Sequence, residues 1–351
     1  QGGILRHQKG DKAMAQRRGQ FGSKVGFVLA AAGSAIGLGN IWKFPYLAGE
    51  NGGAVFLILY LGFVFTIGLS VMLAEFAIGR ASEKNPVGAF ARLKGGPWTG
   101  VGYMGVLTGF IILSFYSVVG GWTIVVARGI DAGIERACRV LMPVLFVLLA
   151  VLCVRSVTLP GAGAGITFFL EPDFSKVSAG TVTAALGQAF FSLSLGMGVM
   201  ITYGSYISHL ENLPKAALWV TSLDTLIAVM AGFLILPAVF AFGFDPAAGP
   251  GLTFITLPVV FSQMPFGAFF GTLFFVLLAV AALTSAMSLL EVVVAYLVDE
   301  KGVPRVKAAW GAGMVIFLLG IPSSLSLACG ATSPSPARGS SIPWITWRPT
   351  F

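Results

Sequence analysis

Long apolar runs alternate with short polar loops along this chain, and the runs have membrane length. A helix of about 20 residues crosses hydrocarbon, and runs of that size lie at roughly 24–47, 54–76, 101–127, 138–159, 182–207, 216–243, 266–298 and 308–329. These eight are predicted spans. The stretch GPGLTFITLPVVFSQMPF, residues 249–266, is apolar but short and punctuated by proline, so it is placed as a hairpin packed on one face. Residues 1–20 form a basic polar tail and 21–330 the membrane domain; 331–351, rich in Ser and Pro, match no span and are expected to be unstructured or a frame error.

Two runs are interrupted. The first changes midway into Gly33-Ser34-Ala35-Ile36-Gly37-Leu38-Gly39-Asn40, and the fifth into Phe191-Ser192-Leu193-Ser194-Leu195-Gly196-Met197-Gly198. Glycine costs about 1 kcal/mol against alanine inside a helix, so these are places where helix is easily given up. In hydrocarbon, opened backbone is tolerated only where it lines an enclosed or watery cavity. Freed carbonyls can then hold a cation, and the amides opening the next half-helix an anion. Close helix packing is the other reading of the first stretch, because Gly33 and Gly37 form a small-xxx-small pair. A nucleotide-binding loop fits poorly: the spacing is not GxGxxG and no strand–helix unit surrounds it.

Composition narrows the class. The chain is 56% hydrophobic and 10% charged with mean hydropathy +0.88, against roughly 25% charged in soluble domains, so an all-α integral membrane protein in a lipid bilayer is expected. The net charge of +8 is no nucleic-acid footprint, since Lys and Arg sit in short loops between apolar runs. Cys138, Cys153 and Cys329 have neither disulfide-framework nor metal spacing. Two histidines in polar segments and no nucleophile–base pair argue against an enzyme. Positive charge gathers at Arg80, Lys84, Arg92 and Lys94, at Arg128, Arg136 and Arg139, and at Lys301, Arg305 and Lys307. The positive-inside rule puts these loops on the cytoplasmic side. Yet only the run 101–127 separates the first two, so either Gly120-Gly121 turns the chain back or a span is missing.

Two interrupted helices in one membrane chain point to a secondary transporter. The segments GSAIGLGNIWKFPYLAGENGG, FFSLSLGMGVMITYGSY and ALTSAMSLLE resemble the neurotransmitter:sodium symporters, especially their bacterial amino-acid branch, over roughly residues 18–330. The resemblance implies a broken-helix, inverted-repeat transporter fold, here partial. About 8 of 12 spans are present: Trp122 matches the third span, but Ala127-Arg128-Gly129-Ile130 already resembles the end of the fourth, and spans 10–12 have no counterpart. The implied activity is sodium-coupled import of a hydrophobic or aromatic amino acid by alternating access, across the inner (plasma) membrane with a cytoplasmic N-terminus. The alternative is a truncated remnant that binds ligand or associates with other membrane proteins without transporting.

The resemblance also implies a site. One sodium ion would take the Ala35 carbonyl, Asn40, Ser192 and Asp224. A second would take the carbonyls of Gly33, Ile36 and Ala281 and the hydroxyls of Thr284 and Ser285. Oxygen ligands suit a hard cation, and Ala281, Thr284 and Ser285 share one helix face. The alternative for Thr284 and Ser285 is bonding back to their own helix carbonyls. The substrate carboxylate would meet the amides of Leu38 and Gly39 and the Tyr116 hydroxyl, and its amino group would meet carbonyls around Ser34 and Ala35 with Phe191 and Ser192. Ile112, Tyr116, Phe191, Ser194, Met197, Ser285 and Leu289 would form the side-chain pocket. Gly37 stands where monoamine-carrying relatives have Asp, which favours a substrate with its own carboxylate.

Asp224 is an intramembrane carboxylate, functional by default. Many relatives have an amide there and use a bound chloride, so Asp224 is expected to make chloride unnecessary; the alternative is a protonated Asp bonded to a neighbouring helix. Arg18 and Asp299, with Phe21 and Tyr206, resemble the inner gate, and Lys43 the positive half of the outer one. Glu75 and Glu291 are expected to brace the broken helices.

Overall fold

The computed structural model describes residues 20–114 and 130–332, with side chains over 20–114 and 133–321. Arg18, Tyr116, the Gly120-Gly121 turn, Trp122 and most of both tails lie outside the described residues. Thirteen helices, beside the π-helical turn Ile130–Glu135, order the described chain. The first span is two pieces, α1 (Lys24–Ala35) and α2 (Gly39–Glu50), bent by 46°. There follow α3 (Ala54–Ser82), α4 (Pro86–Leu93), α5 (Thr99–Ser114), α6 (Arg136–Val157) and α7 (Ala162–Leu170). The second broken span is α8 (Ala179–Ser192) and α9 (Val199–Gly204). Then come α10 (Leu213–Ala241), α11 (Leu252–Gln263), α12 (Gly267–Lys301) and α13 (Arg305–Thr332).

Among the described residues, five helices are long and apolar enough to cross a membrane, or six with α1 and α2 taken as one bent span. The most apolar windows of α10 and α12 are 67% and 61% buried, against 22–39% for α3, α5 and α6, so α10 and α12 are the interior helices. Helices in lipid have no hydrophobic drive to associate and rely on close packing through small residues. That device holds α9 on α3: a side chain at Gly79 would strike the Ile201 carbonyl, and one at Gly204 the backbone of Phe76. It also seats Gly165 of α7 on the backbone of Leu236 and Pro237. Side-chain caps start several helices. Ser23 accepts from the Gly26 amide at 3.0 Å, Asn85 from Val87 at 2.9 Å, Ser178 from Thr181 at 3.1 Å and Asn212 from Lys215 at 2.9 Å.

The stretch 249–266 is corrected: it contains the single short helix α11, followed by a turn with Phe266 at φ +60° leading into α12. The run 182–207 begins earlier, at Ala179, and is two helices. The basic loops do share one end. Arg80 donates to the Glu211 carbonyl at 2.8 Å, Arg92 to Ser82 at 2.9 Å and Arg139 to Ser23 at 3.2 Å. At this end Glu135, the last residue of the π-helical turn Ile130–Glu135, lies beside Ser23.

Candidate functional site

The breaks follow from backbone bonding. At the first, Ile36 still donates to the Ala32 carbonyl at 2.7 Å but is itself extended. Asn40 and Ile41 both donate to the Gly37 carbonyl, at 3.1 and 3.3 Å. The amides of Leu38 and Gly39 thus stand ahead of the first donors of α2, where an anion is favoured. At the second break the backbone turns left-handed at Ser194 (φ +53°), Gly196 (+74°) and Gly198 (+75°), which glycine takes readily and serine does at a cost. The Ser194 hydroxyl donates to the Ser34 carbonyl at 3.1 Å, so the two breaks face each other.

A buried polar cluster lies beside them. Asp224, 0% exposed in the middle of α10, accepts from Asn40 Nδ2 at 2.7 Å, Ser192 Oγ at 2.7 Å and Tyr60 Oη at 3.4 Å. The Asn40 side-chain oxygen accepts from the Gly37 amide at 3.2 Å, bracing the break from within. Four elements meet at this carboxylate: α2, α3, α8 and α10. Tyr60 and Gln188, absent from the predicted set, belong here too. Gln188 donates to the Gly39 carbonyl at 2.7 Å, and its own side-chain oxygen is buried without a partner. Gln188 lies four residues before Ser192, on the same helix face, a spacing that gains meaning only once α2 is seen to pass beside it.

On the opposite flank, Thr284 Oγ1 lies 3.0 Å from the Ala281 carbonyl and 3.3 Å from that of Ile36. The hydroxyl is within hydrogen-bond reach both of its own helix and of the break, with the shorter distance to its own helix. Ser285 differs: it donates to Ser34 at 3.0 Å and faces the break rather than Ile36. A side chain at Gly33 would touch Met142, Cys138 and Thr284 at 3.2–3.4 Å, and one at Gly37 would collide with Ser285. These glycines serve both close packing and the break.

Between the breaks lies a cavity of about 330 Å³. It is lined by Ser34, Ala35, Gly37, Leu38, Gly39, Ile112, Phe191, Ser194, Met197, Ser285 and Leu289. Of the predicted substrate residues, Ser192 turns toward Asp224 instead, and Tyr116 is outside the described residues. Lys43 lies over the Phe191 ring, 4.2 Å from its centroid. At the basic end, the Phe21 amide donates to the Tyr206 carbonyl at 3.3 Å, and Asp299 accepts from the Asn85 amide at 3.1 Å. Glu75 accepts from the Gly196 amide at 2.7 Å and so braces the second break directly. Glu291 is corrected in its partner: it holds Arg305 through both guanidinium nitrogens and accepts from Tyr206 at 2.8 Å, closing the basic end rather than touching a break. Glu135 was missed; it accepts from Gly22 at 2.8 Å and Ser23 at 2.8 Å and thereby ties down the start of α1.

Comparison with family profiles matches residues 18–127 and 123–329 to the sodium:neurotransmitter symporter family. The chain belongs to that family. It is accordingly a multi-pass membrane protein and a sodium-dependent symporter, not an enzyme. It is 40% identical to the sodium-dependent transporter YhdH of Bacillus subtilis, covering 89% of this chain and 79% of YhdH. A sodium-dependent transporter of Haemophilus influenzae is 38% identical, covering 88% and 80% of the two chains. The crystal structure of the symporter MhsT in complex with L-phenylalanine superposes with a TM-score of 0.82 at 45% identity, covering 93% of this chain and 84% of MhsT. The 358 aligned positions with YhdH exceed the 89% of this chain that they cover, so YhdH carries some tens of residues with no counterpart here. The two family matches meet and overlap at residues 123–127, where the resemblance had placed a missing span.

Proposed function

We propose that the chain imports a hydrophobic or aromatic L-amino acid together with sodium, by alternating access and without chloride. One observation carries this reading: the buried carboxylate of Asp224 gathers Asn40, Ser192 and Tyr60 beside two facing helix breaks. An intramembrane carboxylate with no cation beside it among the described residues is a site that asks for one. Sodium would bind there with the Ala35 carbonyl, the Asn40 side-chain oxygen, Ser192 and Asp224. A second sodium would take the carbonyls of Gly33, Ile36 and Ala281 with Thr284 and Ser285.

The substrate carboxylate would meet the Leu38 and Gly39 amides and Tyr116, and its amino group the carbonyls around Ser34 and Ala35. The side chain would occupy the space lined by Ile112, Phe191, Met197 and Leu289, which is apolar apart from serine hydroxyls. The complex of the related MhsT with L-phenylalanine supports an aromatic substrate. The basic end would face the cytoplasm, in the plasma membrane. Arg18 would join Asp299, Phe21 and Tyr206 in the inner gate, and Lys43 would guard the outer side.

Proteoliposomes holding the purified chain, with an inward sodium gradient, should accumulate tritiated phenylalanine, and replacing chloride by gluconate should leave the rate unchanged. Uptake lost in gluconate at constant sodium would overturn chloride independence. Saturable binding without accumulation would favour the non-transporting remnant.

A further inference from the structure

At the basic end, two carboxylates adjacent in sequence near the close of α12, Asp299 and Glu300, meet one neutral side chain, Asn85. Asn85 is 0% exposed and ends the loop that joins α3 to α4. We propose that Asn85 is a positioning residue of the inner gate: its amide holds Asp299 and Glu300 to the start of α4 and so keeps the basic end closed. That role rests on the import reading, whereas the contacts do not.

Every hydrogen-bonding group of this side chain is used, and the groups divide between two tasks. The oxygen accepts from the Val87 and Gly88 amides at 2.9 and 3.2 Å, which caps α4. The nitrogen donates to Glu300 Oε1 at 2.8 Å and to Asp299 Oδ2 at 3.3 Å, and the Asn85 backbone amide adds a second bond to Asp299 at 3.1 Å. Capping alone does not select asparagine, because Asp, Ser and Thr also cap helices well. The donors do. An aspartate has none to offer, and a hydroxyl has one hydrogen for two carboxylates. Gly88 makes room for the arrangement, since a side chain there would strike Glu300. The loop is itself anchored. Arg92 donates to the Ser82 carbonyl at 2.9 Å, and Glu83 lies 2.9 Å from His209 in the connection between α9 and α10. Asn85 therefore links the end of α12 to a loop that is held to the chain leaving the second broken span.

Cys138 reports opening at this end, because it lies in the first turn of α6 and is fully buried. Asn85→Asp keeps the cap and sets a third carboxylate against the other two. In nanodiscs, alkylation of Cys138 by N-ethylmaleimide, read by peptide mass spectrometry, should run roughly tenfold faster in that variant, the scale of losing one hydrogen bond to a charged group. Asn85→Ser, which keeps the cap without the bridge, should lie between, and it keeps the result readable if Asn85→Asp does not fold. Adding Glu300→Gln to Asn85→Asp should bring labelling back toward the parent's rate, and phenylalanine accumulation in proteoliposomes should recover in step. A role confined to capping predicts equal labelling in the parent and both variants. That result would overturn the proposal, as would faster labelling that Glu300→Gln leaves unaltered. Labelling needs no transport, so a parent that fails to accumulate phenylalanine counts against import alone and leaves Cys138 to decide the role of Asn85.

Discussion

At the scale of single residues, Asp224 sets the electrostatics of the site. Three neutral donors converge on it, and a hydrogen bond to a charged group contributes about 1.5–3 kcal/mol. Asp224→Asn removes the charge while keeping the shape, so sodium affinity should fall by roughly 10–100-fold, matching that energy. If the carboxylate replaces a chloride, adding chloride should then recover part of the uptake in the variant and none in the parent. Sodium titrations of phenylalanine uptake in chloride and in gluconate measure both, and an unchanged sodium dependence would remove Asp224 from the site. Thr284 gives an independent check. Thr284→Val keeps the volume and deletes the oxygen that faces Ile36 and Ala281, so it should raise the sodium concentration for half-maximal uptake severalfold, whereas Thr284→Ser should not. Asp224 is conspicuous in the sequence as a carboxylate inside an apolar run, whereas Thr284 is singled out only by the resemblance to the family. Tyr60 and Gln188 are not legible there: a tyrosine passes as part of the apolar run, and a lone Gln four residues from a Ser has meaning only once α2 is known to pass beside it.

At the scale of elements, glycine marked both breaks correctly, since helix is cheapest to abandon where glycines cluster. Proline misled. Pro258 and the short length of 249–266 suggested an irregular hairpin, but the π-helical turn Leu252–Thr256 changes the bonding pattern just before Pro258, which falls in the first turn of the α-helical part. There its missing amide proton costs little. The outer helix α7 was likewise unseen, because nine residues are too few for a spanning signal. Register between elements depends on small contacts that a linear reading gives no reason to select. Gly79 shows how much one of them carries, because any side chain there meets the backbone of α9 at Ile201. Gly79→Val should therefore part α9 from α3 at a cost of about 1–3 kcal/mol, the usual range for overpacking. The expected readouts are a lowered midpoint in a thermal melt and weaker phenylalanine binding, since α9 carries the far side of the second break. A melt equal to the parent's would mean that α3 and α9 slide apart freely.

For the whole molecule, the two ends are closed by unequal means, and this asymmetry bears on whether it transports. The basic end has the buried Glu291 paired with a partly exposed Arg305 and joined to Tyr206, the Asp299–Asn85 contact, and Glu135 fastening the start of α1. The opposite side of the cavity has Lys43 stacked on Phe191, and a cation–π contact contributes only about 0.5–2 kcal/mol. The resting molecule should then favour opening toward the side with little positive charge, the side from which the proposed import would draw sodium and substrate. If sodium and substrate are coupled as proposed, phenylalanine should lower the apparent sodium constant by the same factor as sodium lowers that of phenylalanine. Under the proposed import, release requires the basic end to open, and the Glu291–Arg305 pair is one of the contacts that hold it. Removing one partner of a fully buried pair costs about 3–5 kcal/mol, and the loss here should fall below that range because Arg305 is 25% exposed. Glu291→Gln should therefore weaken closure of the basic end, lower phenylalanine and sodium affinity together, and slow sodium-driven accumulation while still permitting leak-like exchange of preloaded phenylalanine. Restoring neutrality with Arg305→Gln on top should recover part of the loss. If Glu291→Gln leaves both affinities and accumulation intact, the pair is not a gate, and the basic end must be sealed by the aromatic packing of Phe21 on Tyr203 and Tyr206.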